Sequence, residues 1–423
     1  MNLTTLRVTG PPAASGLRSE MQTFAWRADG VFSRSGLLIG ASGATAHGRV
    51  ALELNLDEFD IGSELGRGSS SVVWRATHMR TGAVVAIKRV RLNTHASREA
   101  LVSELRALWA GDDGDDAGAN VSVGAGEANA GANLGARAPR ALVNTLLGAC
   151  ARDGAVYLAL EYMDAGSLEN VCLRAGGPLP ERALSGIAYC LFSALAALTE
   201  MRRLHRDVKP SNVLLDSSGA VALSDFGLAR TLDAEGKAHS FVGTQRFLAP
   251  ERLRGETYDC SADVWAAGVT LWSAATGRHP FMSGPYADMG PIELTAAILS
   301  EPSLATPDDC TFSQGLTELI FNATRRDPDA RLTAVALLGS PWFLEHGVRD
   351  VDDAIRVVRE YFSAVASGSV THSAARLSSG SAATRARPSP TASDARAALQ
   401  LLLSEKDETG ALFPVTGGTF EII

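Results

Sequence analysis

The chain has 423 residues, 46% of them hydrophobic and 20% charged, with a formal net charge of −8. This length accommodates one large domain with extensions or two to three smaller ones, and the acidic balance predicts neither nucleic acid nor an anionic membrane as a partner. The five cysteines lack C-x-x-C or zinc-ligand spacing, so we expect reduced thiols in the cytoplasm or the nucleus. The longest apolar run, Ile187 to Leu198, is too short to span a bilayer and predicts a buried helix.

Residues 1–54 mix Gly, Pro, Ser and Ala without a steady hydrophobic period, which predicts a flexible N-terminal arm. Two strand-like segments then flank a glycine-rich turn between Asp60 and Trp74. At Gly66 and Gly68 no Cβ blocks an anion from the backbone N–H groups. The sequence therefore predicts a turn that can cover phosphate groups.

A short apolar strand, Val84–Lys88, ends in a lysine, and a helical pattern with leucines on one face follows it. Glu104 on that helix is the predicted ion-pair partner of Lys88. Glu99 is the alternative, because the sequence does not fix the register of the helix. Residues 111–140 hold few large apolar side chains, which predicts a disordered insertion.

Two strands are predicted next, at residues 142–147 and 156–160. The polar segment Glu161–Leu168 follows the second strand and connects it to the rest of the chain. A long buried helix is predicted from Pro180 to about Arg203, because proline is pre-set for the first turn of a helix.

The segment His205–Asn212 carries the densest set of chemically useful side chains. Asp207, Lys209 and Asn212 lie two and three residues apart, and the proline after Lys209 disfavours a helix there, so we expect a rigid loop. The carboxylate can accept a hydrogen bond from a hydroxyl, and the ammonium group can bind a phosphate. The amide oxygen suits a hard cation such as Mg²⁺.

Two further motifs follow in order, Asp225-Phe226-Gly227 and Ala249-Pro250-Glu251. Together with the segment from His205, the glycine turn and Val-Ala-Ile-Lys, they resemble the motifs of protein kinases. The resemblance covers about residues 57–344, and the predicted kinase domain spans residues 55–344. The resemblance implies an α+β fold with two lobes, a small β-rich lobe and a large, mainly α-helical lobe.

The resemblance also implies ATP and Mg²⁺ as cofactors and a role for each matching residue. Asp207 would accept the hydrogen bond of the substrate hydroxyl, and Lys209 would bind the γ-phosphate. Asn212 and Asp225 would hold magnesium, while Lys88, fixed by Glu104, would hold the α- and β-phosphates and Phe226 would pack inward on His205 and Leu108. The other nucleotide-binding residues line the adenine and phosphates: Leu65, Gly66, Gly68, Val73, Ala86, Glu161, Met163 and Leu214. Ser71 replaces the third glycine of the family's loop.

Two segments resemble the MAP kinase kinases in particular. Residues 240–253 are similar to S-F-V-G-T-x-x-Y-M-[SA]-P-E-R-L, and residues 161–168 are similar to E-Y-M-D-G-G-S-L. The implied substrate is a MAP kinase, phosphorylated on Thr and Tyr of its activation loop. Ser240 is the predicted site for an upstream activating kinase, because Arg206 places a cation beside the catalytic aspartate that an activation-loop phosphate can offset. Thr244 is expected to bond to Asp207 and Lys209.

The activation segment departs from the family in one respect. Gly236 and Ala234 stand where family members carry a second phosphosite, and neither has a hydroxyl. Glu235 as a fixed negative charge and Thr231 as a substitute site both remain open. Activation through a single site and partial constitutive activity are therefore both compatible with the sequence.

The rest of the large lobe has two more kinase-like segments, at residues 261–268 and 325–332. Arg331 in the second is expected to pair with Glu251 through two hydrogen bonds. Residues 345–423 are predicted to be a mostly flexible extension with a short amphipathic helix at 345–362. Two interpretations of this helix stay open, docking of an upstream kinase and packing on the large lobe.

We therefore predict a monomeric kinase resembling the MAP kinase kinases. One alternative is a serine/threonine kinase of another branch, for instance the tier above the MAP kinase kinases. The other is a scaffold that binds nucleotide without chemistry, although the complete catalytic set argues against it.

Overall fold

The computed structural model describes residues 24–27, 30–33, 37–39, 43–46, 49–68, 71–92, 101, 142–226, 230–231, 245–281, 290–300, 304 and 310–369. The strands and helices below are those of these ranges. Glu104, Ser240 and Thr244 lie outside them, as do the insertion 111–140 and the C-terminal residues after 369.

Strands occur where the sequence predicted a flexible arm. They form an antiparallel sheet of sequential strands: β1 (Phe24–Arg27), β2 (Gly30–Ser33), β3 (Leu37–Ile39), β4 (Gly43–Ala46) and β5 (Arg49–Glu53). The expectation of an irregular arm is corrected for these segments. Strands of three to five residues are too short to establish a hydrophobic period in the sequence.

The smaller lobe is a second antiparallel sheet, with strand order β6-β7-β8-β10-β9. Its strands are β6 (Phe59–Arg67), β7 (Ser71–His78), β8 (Val84–Arg91), β9 (Leu146–Arg152) and β10 (Ala155–Glu161). The N-terminal strands β3, β4 and β5 lie alongside β9.

The strand predicted at residues 142–147 is displaced in the structure. β9 begins at Leu146 and extends to Arg152. Its centre holds the small buried residues Ala149 and Cys150, which carry a weak strand signal in the sequence. Val143 instead forms an isolated bridge to Leu223 of the larger lobe.

Alternation along β8 determines which face of the sheet each side chain occupies. Val85 and Ile87 pack into a cluster on the outer face, whereas Ala86 and Val90 belong to the main core shared with the larger lobe. Lys88 lies between Ala86 and Val90 in this alternation. Its side chain therefore lies on the inner face, toward the seam between the lobes.

The larger lobe is mainly helical. Its helices are α1 (Leu168–Ala175), α2 (Glu181–Glu200), α3 (Pro250–Leu253), α4 (Ser261–Thr276), α5 (Pro291–Ser300), α6 (Gln314–Ala323), α7 (Ala334–Leu338), α8 (Pro341–Glu345) and α9 (Val351–Ala366). Five short strands of the larger lobe form two small sheets, in the orders β11-β13-β14 and β12-β15: β11 (Gly166–Ser167), β12 (Arg203–Leu204), β13 (Val213–Leu215), β14 (Val221–Leu223) and β15 (Arg230–Thr231). The two-lobed α+β fold predicted from the sequence is confirmed.

Helix α2 is the central helix of the larger lobe, as the apolar run in the sequence predicted. Within the described part of the chain, it is the one helix whose length and composition would allow it to cross a membrane. However, 72% of its most apolar 18-residue window is buried inside the fold, as expected for a core helix. It is longer than the apolar run, because polar residues complete its first and last turns.

Helix α9 packs its apolar face against α2 and against the turn between β13 and β14, and one glycine in each permits the close approach. A Cβ on Gly186 of α2 would lie 2.6 Å from the carbonyl oxygen of Ala354, and one on Gly219 of the turn would overlap the carbonyl oxygen of Ile355. Ile355 and Val358 are fully buried in this contact. The structure thus favours packing on the large lobe for this helix, which begins at Val351 rather than near residue 345.

We expect Gly219→Ala to destabilise the protein by more than about 2 kcal/mol, because Gly219 has a φ of +91° and its Cβ would overlap the backbone of α9. Gly176→Ala is the matched control: its φ is +63° and no atom lies within 4 Å of the added Cβ. That variant should lose only about 1 kcal/mol. Urea unfolding of both variants measures the difference, and equal losses would contradict the proposed clash.

Candidate active site

The loop between β12 and β13 is held in place by a buried carboxylate. Asp263, near the start of α4, accepts hydrogen bonds from the backbone N–H groups of His205 at 2.7 Å and Arg206 at 2.8 Å. Arg206 has a φ of +72°, which costs about 1–3 kcal/mol for a residue with a Cβ. The two charge-assisted bonds offset this cost, so the loop keeps its unusual backbone.

Asp207, Lys209 and Asn212 converge within this loop, as their spacing predicted. The Nζ of Lys209 lies 2.7 Å from Oδ2 of Asp207. The side-chain amide of Asn212 donates to the same oxygen at 3.1 Å and to the carbonyl of Asp207 at 2.8 Å. A short 3-10 turn, Pro210–Asn212, follows the extended Lys209 and brings the amide back toward the aspartate. One carboxylate is therefore oriented by two donors.

The β13–β14 hairpin brings the second predicted aspartate beside the loop. The backbone N–H of Ser224 donates to the carbonyl of Asn212 at 2.9 Å, and the ring of His205 contacts the carbonyl of Ser224 at 2.9 Å through Nε2. His205 also packs on Phe226 with ring centroids 4.7 Å apart. The predicted contact between Phe226 and His205 is confirmed, whereas Leu108 lies outside the described residues. Because His205 contacts both Ser224 and Phe226, it holds Asp225, which lies between these two residues along the chain.

The two lobes meet through one ion pair at the site. Lys88 Nζ from β8 lies 3.3 Å from Oδ1 of Asp225. Lys88 is 8% exposed, so its charge is poorly hydrated and acts strongly on the neighbouring carboxylate. The ammonium group is the main cause of a lowered pKa for Asp225, with a smaller contribution from His205 and Lys209. Asp225 is therefore ionised at neutral pH.

The donor set at the site suits magnesium. The carboxylate of Asp225 and the amide oxygen of Asn212 are hard oxygen ligands. Oδ1 of Asp225 already accepts a hydrogen bond from the Lys88 ammonium group, so this carboxylate can face a cation. Among the residues that the structure describes, no three His, Cys, Asp or Glu side chains are grouped to hold a metal ion. Magnesium is commonly bound through one or two protein oxygens together with substrate phosphates, so the residues fit this ion.

The predicted phosphate-covering turn lies in the smaller lobe, between β6 and β7. β6 and β7 pair around the glycine turn, with Gly66 opposite Val73, and a Cβ on Gly66 would meet no atom within 4 Å. Leu65 is 46% exposed at this edge, consistent with a surface left open for a ligand. The glycine turn is closed by a hydrogen bond from the N–H of Gly68 to the carbonyl of Ser71 at 2.8 Å.

The remaining predicted nucleotide residues lie at the seam. Ala86 and Glu161 occupy paired strands β8 and β10, and Met163 follows β10 directly. Leu214 lies on β13 between its two partner strands. The structure gives the positions of these residues on their strands, and their contacts with a nucleotide remain predictions.

Sequence reasoning missed the side chains that hold this frame. Asp263 positions the catalytic loop, and Asp164 accepts hydrogen bonds from the N–H and Oγ of Ser217 at 2.6 Å each, tying the connecting segment to the hairpin turn. The Ser-x-Asp-Val-Trp pattern around Asp263 is visible in the sequence. The sequence did not show that Asp263 accepts hydrogen bonds from the backbone of His205 and Arg206. The Asp164 contact spans 53 residues and leaves no local pattern.

A fully buried ion pair lies within the larger lobe. Arg331 Nη1 lies 2.8 Å from Oε1 of Glu251, and Nη2 lies 3.1 Å from Oε2. The predicted bidentate pair is confirmed. Because Glu251 lies in the first turn of α3 and Arg331 precedes α7, the pair joins the segment after the activation region to the last part of the large lobe.

A β-rich lobe above a helical lobe, with these charged residues converging at the seam, defines the class of protein kinases. In agreement, the family model of the protein kinase domain matches residues 134–343. Mitogen-activated protein kinase kinase 3 of Arabidopsis thaliana is 32% identical over 301 residues, covering 70% of this chain and 51% of that protein. Protein kinase wis1 of Schizosaccharomyces pombe is 30% identical over 326 residues, covering 75% of this chain and 48% of that protein.

Mitogen-activated protein kinase kinase 2 of Arabidopsis thaliana is 31% identical over 295 residues, covering 69% of this chain and 73% of that protein. The chain belongs to the MAP kinase kinase family of protein kinases. It spans about half the length of the first two relatives.

Proposed function

We propose that the chain is an ATP-dependent kinase that phosphorylates Thr and Tyr in the activation loop of a MAP kinase. The observation that carries this proposal is the contact of Lys88 with Asp225 across the lobes, beside the Asp207–Lys209–Asn212 group. Cations and carboxylates at this seam suit a polyphosphate and its metal ion. The family resemblance of residues 240–253 supports a MAP kinase as the substrate.

Each residue has a distinct role in this proposal. Asp207 accepts the hydrogen bond of the substrate hydroxyl and orients it, while Lys209 neutralises charge on the phosphoryl group being transferred. Lys88 holds the other phosphates from the smaller lobe. Magnesium bound at Asn212 and Asp225 would neutralise phosphate charge when present. Positioning and electrostatic stabilisation account for most of the expected acceleration.

Phosphosite mapping on an inactive MAP kinase tests this function. Incubation with ATP and magnesium should label both the Thr and the Tyr of its Thr-x-Tyr motif. Labelling of serine or threonine alone would instead support a kinase of another branch, an alternative motivated by Gly236 and Ala234 in place of a second phosphosite. Transfer that is equal in wild type and Asp207→Asn would support a scaffold.

We expect Ser240→Ala to abolish activation by an upstream kinase, because the substitution removes the hydroxyl that would carry the phosphate facing Arg206. Activity before and after treatment with the upstream kinase measures the effect. Thr231→Ala is the comparison, because Thr231 is a second hydroxyl of the activation segment that could carry the phosphate. Full activation of Ser240→Ala together with loss in Thr231→Ala would assign the site to Thr231.

We further propose that the protein acts as a monomer in the cytoplasm or the nucleus, with an upstream kinase and a MAP kinase as its partners. The net charge of −8 supports the absence of nucleic acid and anionic membranes among them. The family resemblance supports both kinases as partners.

A further inference from the structure

The peptide bond that precedes Asp207 is held on both of its polar sides. Its carbonyl oxygen, which belongs to Arg206, accepts a hydrogen bond from Nη1 of Arg252 at 3.0 Å. Its N–H, which belongs to Asp207, donates to Nδ1 of His205 at 3.3 Å. Because the backbone N–H of Arg206 is also bound, to Asp263, a rotation of this backbone would break at least one side-chain contact. The position of the Asp207 side chain therefore depends on these partners.

Arg252 reaches this carbonyl from a helix that is fixed by a second contact. α3 has only four residues, Pro250–Leu253, and a helix this short is not stable by itself. The neighbouring Glu251 forms the buried bidentate pair with Arg331, which anchors α3 to the last part of the larger lobe. Arg252 is 4% exposed. Its guanidinium group is thus held at a fixed point beside the catalytic loop.

An aromatic ring supports the guanidinium group. The Cζ atom of Arg252 lies 4.7 Å from the centroid of the Tyr258 ring, and that of Arg206 lies 5.9 Å from the same centroid. A planar guanidinium group stacks on an aromatic face, and this attraction is stronger where water is excluded. Tyr258 is buried, so its ring stabilises both cations and keeps Arg252 directed at the carbonyl of Arg206.

The charge of Arg252 is retained in this buried position. Burial lowers the pKa of its guanidinium group, and the charge of Arg206 lowers it further, whereas Tyr258, Asp263 and Asp207 act in the opposite direction. A guanidinium group nevertheless stays protonated at neutral pH. Arg252 therefore donates a charge-assisted hydrogen bond, which is stronger than a neutral one, and its charge also acts on the carboxylate of Asp207.

We propose that Arg252 is a positioning residue for phosphate transfer. Through the carbonyl of Arg206 it fixes the backbone from which Asp207 presents its carboxylate to the substrate hydroxyl. The inference rests on the proposed role of Asp207 and adds a residue that acts through the catalytic loop. Because Lys88 and Asp225 hold the nucleotide and its metal ion in that proposal, we expect Arg252 to affect kcat and to leave the affinity for ATP unchanged.

Arg252→Met tests this role, because methionine is an unbranched apolar side chain that removes the charge and the donor. The kcat for phosphate transfer to a MAP kinase should fall about 10- to 100-fold, the loss expected when a catalytic group is displaced by about 1 Å. The KM for ATP should stay within about twofold. Arg252→Lys keeps a charge and a donor, and its kcat should lie between those of the wild type and Arg252→Met.

A double-mutant cycle with Asp207→Asn separates positioning from a general loss of structure. If Arg252 acts by placing the Asp207 carboxylate, Arg252→Met should lower the residual kcat of Asp207→Asn by less than about threefold, since that carboxylate is already absent. A general structural effect would lower kcat by the same factor in both backgrounds. Equal factors would therefore overturn the inference.

Arg182→Met is the matched control. Arg182 also donates from Nη1 to a backbone carbonyl, that of His346 at 2.9 Å, but this carbonyl follows α8 and does not belong to the catalytic loop. The kcat of this variant should equal that of the wild type. If Arg252→Met does not fold, Tyr258→Leu removes the ring on which the guanidinium group lies. It should lower kcat at least about threefold in the wild-type background and less than about twofold in Asp207→Asn.

The outcomes distinguish the inference from the function on which it rests. A wild-type kcat in Arg252→Met would overturn the inference and leave the proposed function standing. If the wild-type protein transfers phosphate to casein and to no MAP kinase, the proposed substrate fails, and the same variants compared on casein still support or overturn the inference. No transfer by the wild type to either acceptor would overturn both.

Discussion

Asp207→Asn should lower the rate of phosphate transfer to a MAP kinase by roughly a thousandfold or more. Asparagine has nearly the same shape, but it removes the negative charge that orients the substrate hydroxyl and pairs with Lys209 at 2.7 Å. The affinity for ATP should change by less than about threefold, because Asp207 acts on the acceptor. Initial rates and nucleotide titration of the same preparations measure the two quantities.

Asp153→Asn is the control for this variant. Asp153 has an 85% exposed side chain in the turn between β9 and β10, and asparagine tolerates its positive φ of 49°. Its rate should equal that of the wild type. A fall of less than about tenfold in Asp207→Asn would remove Asp207 from the chemistry and favour a nucleotide-binding scaffold.

Glu251→Ala should destabilise the protein by about 3–5 kcal/mol. The side chains of Glu251 and Arg331 are 1% and 0% exposed, so loss of the carboxylate leaves a buried guanidinium without its bidentate partner. Urea unfolding followed by fluorescence should show a large fall in the urea concentration at the midpoint. The dependence of the free energy of unfolding on urea concentration should stay the same as in the wild type.

Glu256→Ala is the matched control for the buried pair. Glu256 lies 3.7 Å from Arg254 at the surface, with side chains 52% and 33% exposed, and its loss should cost less than about 0.5 kcal/mol. Similar losses in Glu251→Ala and Glu256→Ala would mean that burial does not determine the strength of the first pair.

The sequence was most informative where local spacing determines the chemistry. Asp207, Lys209 and Asn212 lie within six residues of one another, so their convergence followed from the loop alone. The pairing of Glu251 with Arg331 spans 80 residues and was predictable only through the family resemblance. The hydrogen bonds between Asp263 and the backbone of the catalytic loop join residues that are 57 and 58 positions apart. Every residue except proline has a backbone N–H, so the sequence cannot indicate which N–H a carboxylate binds.

The differences between the predicted and the observed elements also have physical causes. The strand predicted at residues 142–147 was displaced from β9 (Leu146–Arg152), because the centre of β9 consists of small residues. Their strand signal is weaker than that of the β-branched Val143 and Thr145, which precede β9. The strands between residues 24 and 53 were missed because each is only three to five residues long. The close packing of α9 depends on Gly219 and Gly186, whose role is visible only when the neighbouring backbone is in place.

The magnesium dependence of ATP affinity tests most directly whether Lys88 and Asp225 flank one metal–nucleotide site. Titrations of wild type and Asp225→Asn with ATP, each with and without Mg²⁺, provide the comparison. In the wild type Mg²⁺ should raise the affinity at least about tenfold, and Asp225→Asn should lose that gain because it removes the charged metal ligand. An equal gain from Mg²⁺ in both proteins would contradict the assignment of this cleft as the catalytic site.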